Sequence, residues 1–99
     1  MAALNELIHQ PLRLKLMAAL WAQRSQGPVE FSRLKAVSGA TDGNLGSHLA
    51  ALEKAGYVVL EKDFVGKRPR TRAGLTSEGG KAWRDHVEYL RQVVDGLDD

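Results

Sequence analysis

The sequence predicts a mostly helical α+β domain in which two short adjoining helices precede a β-hairpin and a long helix closes the chain. Three observations carry this expectation. Two helix-like segments, SRLKAVSG and TDGNLGSHLAALEKAG, meet through a four-residue turn, Ser38 to Thr41, that contains glycine. Immediately afterwards the β-rich stretches YVVLEKDF and RTRAGLT flank the turn-like VGKRP. Finally Trp83, Val87, Leu90, Val94 and Leu97 step by 4, 3, 4 and 3, the spacing of one apolar helix seam.

The elements follow in order along one domain, residues 1–99. A short lead-in helix is expected near residues 3–9. Pro11 suits the first turn of a second helix, where its missing N–H is no loss, and Leu12, Leu16, Ala19 and Leu20 give that helix a buried face. Gly27-Pro28 stops it, so the N-terminal helices occupy 3–24. Val29–Phe31 reads as a three-residue strand. Ser32 is expected to cap the next helix and Gly39 to end it. Thr41 then caps a helix stabilised by Asp42 in its first turn, with Leu45, Leu49 and Leu52 facing inward and Gly56 as a left-handed stop. These two helices span 32–55. The hairpin spans 57–76, and Pro69 with Gly74 predicts that its returning strand is an edge or irregular. Ser77 is expected to cap the last helix, 77–96.

Composition narrows the function. The apolar fraction of 43% suits a folded chain, and the absence of cysteine excludes disulfides and thiolate metal sites. The longest apolar run, LMAALWA, is far too short to span a membrane, and no signal peptide is visible; the expected setting is the cytoplasm. Net charge is +2, but the last fifteen residues carry five acidic side chains against Arg91 alone. The balance of the chain is therefore basic, with four cations inside Lys67–Arg72, which suggests a polyanion met by one face. His9, His48 and His86 lack the spacing of a metal site, and no cofactor is implied. Neither a nucleophile–base set nor a phosphate-binding glycine motif is present, so an enzyme is not expected.

The phrases LIHQPLRLKLMAAL, FSRLKAVSGATDGNLGSHLAALEKAGYV and KRPRTRAGLTSEGGKAW make the chain resemble a winged helix-turn-helix transcriptional regulator of the MarR/ArsR-like group, in its small single-domain subclass. That resemblance implies a second motif helix in the DNA major groove, a hairpin wing at the adjacent minor groove, and terminal helices that pair two copies. It also implies a repressor that binds double-stranded DNA as a homodimer. Regulators of this kind often take small aromatic effectors near the dimer interface, although no residue here specifies one. The alternative is a winged-helix protein–protein interaction module without DNA binding, for which an acidic or apolar wing would be the sign.

With the leucine stripe turned inward, Gly43 and Ser47 lie opposite it, with Asn44 beside them and His48 on a flank. Asn can bond adenine in bidentate fashion, Ser can reach a base edge or phosphate, and Thr41 with the helix N-terminus can meet a phosphate. Asp42 is awkward beside phosphate and is assigned to the helix start or to a cytosine amine. His48 is open between packing and DNA contact. Gly43 would let backbone approach the groove, whereas Gly46 is expected to permit close packing or to remove a polar contact. Lys67, Arg68, Arg70 and Arg72 form the wing set, some facing away from DNA because strand side chains alternate. Leu4, Leu7 and Ile8 at one end, with Trp83, Val87, Leu90, Val94 and Leu97 at the other, are the candidate dimer interface. Trp21 is expected in the core and Tyr57 near its edge.

Overall fold

Pro11 opens the first helix, as its fixed φ allows, and forces the residue before it out of helical geometry. Gln10 is accordingly extended, with φ −138° and ψ 141°. The computed structural model describes residues 3–97, and side chains to residue 96. Its elements are α1 (Pro11–Ala22), β1 (Val29–Glu30), α2 (Phe31–Ser38), α3 (Asp42–Lys54), β2 (Val58–Val65), β3 (Arg68–Leu75) and α4 (Ser77–Leu97). The α+β, mostly helical arrangement of a winged helix is therefore borne out.

The expected helix over residues 3–9 is instead a turn. Asn5 Oδ1 accepts from Ile8 N at 3.0 Å and the Asn5 carbonyl accepts from His9 N at 2.9 Å. Asn5 is held in place from afar: its Nδ2 donates to the Tyr57 hydroxyl at 3.0 Å, and its backbone N donates to His86 Nδ1 at 3.2 Å. Side-chain competition for backbone groups plus the Pro11 restriction ends the segment after one turn.

Helix starts follow their caps. Glu30 is extended because it pairs with β3, so α2 begins at Phe31 with no side-chain cap, and Ser32 lies inside the helix. Gly39 ends α2 at φ 71°, its N–H donating to the Lys35 carbonyl. Thr41 caps α3 as expected, its hydroxyl accepting from Asn44 N at 3.2 Å. The cap of α4 is Thr76 rather than Ser77. Thr76 Oγ1 accepts from Gly79 N at 2.9 Å while donating to the Gly56 carbonyl at 2.6 Å, which ties the end of α3 to the start of α4.

The sheet order is β1-β3-β2, antiparallel throughout. The returning strand β3 is thus central, contrary to the edge expected from Pro69 and Gly74. The reason is the length of β1, which reaches only Arg72 and Ala73. Pro69 pairs with Phe64 beyond that reach, where no third strand requires its missing N–H. Val65 and Arg68 close a two-residue turn whose first position, Gly66, has φ 64°, as a type II′ turn needs.

Beneath the sheet lies a core of Ile8, Leu16, Met17, Leu20, Leu34, Leu45, Leu49, Leu52 and Val58, all at most 2% exposed. Burial of these side chains supplies most of the driving force for folding. Trp21 is half-buried at the rim, with the Arg24 guanidinium 3.8 Å above its ring. The described residues extend over 57 × 25 × 22 Å. A helix as long as α4 measures about 30 Å; Val93 and Val94, near its end, stay 44% and 59% exposed.

Candidate nucleic-acid interface

The leucine stripe that buries one side of α3 leaves its other side in solvent. Thr41, Asp42, Gly43, Asn44 and Ser47 are all exposed, at the N-terminal end where backbone N–H groups carry partial positive charge. A Cβ built on Gly43 would meet nothing within 4 Å, and the same holds for Gly46. The packing explanation for Gly46 is therefore overturned, because no neighbour approaches it. Both glycines keep the surface of the helix low, and an incoming backbone or base edge meets little steric relief there.

Asp42 has a partner. Its carboxylate lies 2.7 Å from Lys35 Nζ on α2, an exposed pair that contributes little stability but offsets the negative charge at the helix start. His48 is half-buried, and its Nδ1 accepts from Arg13 Nε at 2.9 Å while Arg13 Nη1 donates to the Leu7 carbonyl. Burial, and then the Arg13 charge, lower the His48 pKa. This geometry joins α1, α3 and the N-terminal segment, and it uses the lone pair that a donor to phosphate would not need. The packing alternative for His48 accounts for these contacts.

On the wing, alternation does not separate the cations as expected: Arg68, Arg70 and Arg72 share one face of β3, and they differ in the residue opposite, Val65 for Arg68 but Asp63 and Glu61 for Arg70 and Arg72. Arg70 forms a fork with Asp63, Nε to Oδ1 at 2.9 Å and Nη2 to Oδ2 at 2.7 Å, and lies 3.7 Å from Glu30. Arg72 meets Glu61 at 3.2 Å and Asp63 at 3.5 Å. Hydrogen bonding from Arg70 is the main cause holding the Asp63 carboxyl below the ordinary carboxylate range. Lys67 and Arg68, at the tip, are exposed and have no such ion pair among the described residues. The available positive charge of the hairpin is thus concentrated at its end. Two features went unseen in the sequence: the carboxylates Glu30, Glu61 and Asp63 as guanidinium partners, and Phe64, 71% exposed near the tip. The i, i+2 spacing of Glu61 and Asp63 was the available signal, readable only once the register was known.

The apolar residues assigned to pairing do not share one environment. Ile8 lies fully buried in the chain's own core, a correction to its assignment as an interface residue, because the turn at Asn5 folds it inward. Leu7 and Trp83 pack partly against that core. Leu4 is 39% exposed, Val87 and Leu90 are half-buried, and Val94 is 59% exposed. The side chain of Leu97 falls outside those described.

His86, fully buried on α4, accepts from Asn5 N at Nδ1 and contacts His9 Nδ1 through Nε2 at 3.2 Å. That acceptor role places the His86 proton on Nε2, pointing at His9. Burial, then the neighbouring His9, lower the His86 pKa from 6.5. The unfolded chain therefore binds more protons than the folded one just below that value, so stability is fully present above about pH 6.5 and declines as pH falls toward the folded pKa. Urea midpoints at pH 7.5 and 5.5 should show this loss, and His86→Gln should reduce it. An unchanged difference in the variant would remove His86 as a source.

No group of three or more His, Cys, Asp or Glu side chains among the described residues could hold a metal ion. A family model described as a winged helix DNA-binding domain matches residues 12–94. A structure described as a transcriptional regulator homologue protein from Pyrococcus horikoshii OT3 is 34% identical with a TM-score of 0.85, covering 96% of this chain and 91% of that one. An uncharacterized protein of Methanocaldococcus jannaschii is 28% identical over 93 residues, 94% of this chain and 98% of its own length. A PadR family transcriptional regulator from Eggerthella lenta DSM 2243 superposes with a TM-score of 0.67 at 23% identity, over 84% of this chain and 77% of that one, a likeness of fold alone. The chain belongs to the winged helix DNA-binding domain family.

Proposed function

We propose that this winged helix DNA-binding domain is a sequence-specific transcriptional regulator that binds duplex DNA as a homodimer and represses by occupying a promoter. The observation that carries the proposal is the low, exposed N-terminal face of α3, where Asn44 and Ser47 are exposed beside Gly43, whose position has open space around it. Such a face admits close approach to base edges in the major groove, with Asn44 and Ser47 as readers and Thr41 near a phosphate. Asp42, paired with Lys35, stands at the margin of this surface. Lys67 and Arg68 reach toward the minor groove, while Arg70 and Arg72 hold the hairpin in shape through their carboxylates. A basic wing tip also counts against a module that meets only proteins.

Selection of bound sequences from random duplexes tests the proposal. The expected result is a palindrome whose half-sites lie about one helical turn, 10–10.5 bp, apart. Failure to enrich any sequence would reject it.

Pairing is assigned to α4, whose Val87, Leu90 and Val94 share one side, joined by the exposed Leu4. Leu90→Glu is expected to reduce the mass measured by light scattering from two chains to one and to weaken operator binding at the same time. A variant that stays dimeric would exclude this seam. A small effector would find an open cleft of about 1000 Å³ between the N-terminal segment and α4, lined by Leu4, Tyr57, Ala82 and His86 among others. No helix among the described residues is long and apolar enough to cross a membrane; the cytoplasm is the setting this function requires.

A further inference from the structure

The wing tip combines two properties that the fold itself does not need. Phe64 is 71% exposed and Val65 is 55% exposed, the first and third most exposed of the large apolar side chains among the described residues. The hairpin's contribution to the core ends with Val58, Leu60, Ala73 and Leu75, and Phe64 is not among the residues packed against that core. It stands opposite Pro69, and the next pair inward on the same face is Lys62 with Thr71. Outward lie Gly66, Lys67 and Arg68, where the chain turns. Lys62, Lys67 and Arg68 form no ion pair with the described carboxylates, unlike Arg70 and Arg72 behind them.

An exposed aromatic ring with Lys62 on its own face of the ribbon, Lys67 in the turn and Arg68 on the other face fits a partner that is negative at its rim and flat and apolar inside. The minor groove has that character, with phosphates along both edges and stacked bases and sugars between. A protein partner would need a far larger surface than one hairpin tip provides, about 800 Å² on each side of a stable interface. Apolar side chains that enter the minor groove act as wedges, partly unstacking one base step and bending the duplex away from themselves.

We propose that Phe64 is such a wedge: it opens a base step in the minor groove while Lys67 and Arg68 hold the flanking phosphates. The inference rests on the DNA-binding reading above and adds a source of sequence preference to it. Pyrimidine–purine steps unstack most easily, so the position under the wing should favour TA or CA/TG without any hydrogen bond to those bases.

The test uses the full chain on its selected duplex, comparing Phe64→Ala and Phe64→Leu with the unmodified protein. Bending is read by energy transfer between dyes at the duplex ends, and affinity by anisotropy over a range of salt. Phe64→Ala should bind roughly tenfold more weakly, the scale of one lost aromatic–base contact. It should bend the duplex less and keep the same salt slope, because no phosphate contact is removed. Phe64→Leu, still an apolar wedge, should retain most of the bend. A Phe64→Ala protein with unchanged bend and affinity would overturn the wedge and leave DNA binding standing. So would a change in its mass in solution without DNA, which would seat the ring on another protein surface. Failure of the unmodified protein to bind any duplex would overturn both readings together.

Discussion

Replacing Gly79 with alanine should lower the midpoint of thermal unfolding by roughly 10–20 °C. A Cβ at this position would run into the Tyr57 carbonyl oxygen and come within 2.9 Å of Leu75 Cδ1. The carbonyl cannot retreat freely, since it accepts from Thr76 N at 3.0 Å. Thr76 in turn caps α4 and holds Gly56 at the end of α3. Overpacking of this kind costs about 2–3 kcal/mol, and each kcal/mol shifts the midpoint of a domain this size by about 4–8 °C. The neighbouring residue supplies the control. A Cβ on Gly80 would meet Trp21 Cζ3 at 3.4 Å, a side-chain atom at the rim that can give way. Gly80→Ala also gains helix propensity, about 1 kcal/mol, and should melt close to the unmodified protein. Circular dichroism melts of the two variants decide the matter. Equal midpoints would show that the approach of α4 to Tyr57 is not as close as described.

On DNA, the largest effect is expected from Lys67→Ala combined with Arg68→Ala. If each cation neutralises one phosphate, their loss lowers the slope of log affinity against log salt by about 2 and weakens binding about 30-fold at 0.15 M salt. Arg70→Ala and Arg72→Ala should behave differently. Their guanidinium groups already face Asp63, Glu61 and Glu30. Removing either leaves carboxylates unpaired on the sheet and loosens the hairpin, with a smaller change in salt slope. Titrations at several salt concentrations distinguish the two pairs. Equal slopes for both pairs would mean that the carboxylates release their cations when DNA binds.

The sequence shows local features well because a few adjacent residues decide them. Thr41 caps α3, Gly39 and Gly56 adopt positive φ, and Leu45, Leu49 and Leu52 form a buried stripe. The exposure of Asn44 and Ser47 follows from that stripe alone. What stayed hidden depends on distant partners. Tyr57 and His86 hold Asn5 and turn a predicted helix into a single turn. The two residues of β1 make β3 a central strand, and nothing near Pro69 announces this. A broad turn over VGKRP concealed the register, although Gly66 with Lys67 alone forms the loop. Without the register, Arg70 opposite Asp63 could not be distinguished from Arg68 opposite Val65. The four wing cations therefore looked equivalent in sequence, whereas their environments divide them into two pairs.

The shortness of β1 has a mechanical consequence. At Arg72 and Ala73 the hairpin forms two strands of a three-stranded sheet packed on the core; from Thr71 to the tip it is a bare two-stranded ribbon. Such ribbons have little stability of their own. The boundary acts as a clamp at the base of a springboard, and amide exchange should quicken step by step from Leu60 toward Val65. A springboard can tilt to follow the curvature of what it touches, and contact damps its motion. Each encounter then exchanges freedom of the ribbon for fit, so part of the cost of binding is conformational entropy. Lengthening β1 would shorten the free span and stiffen the ribbon before any ligand arrived.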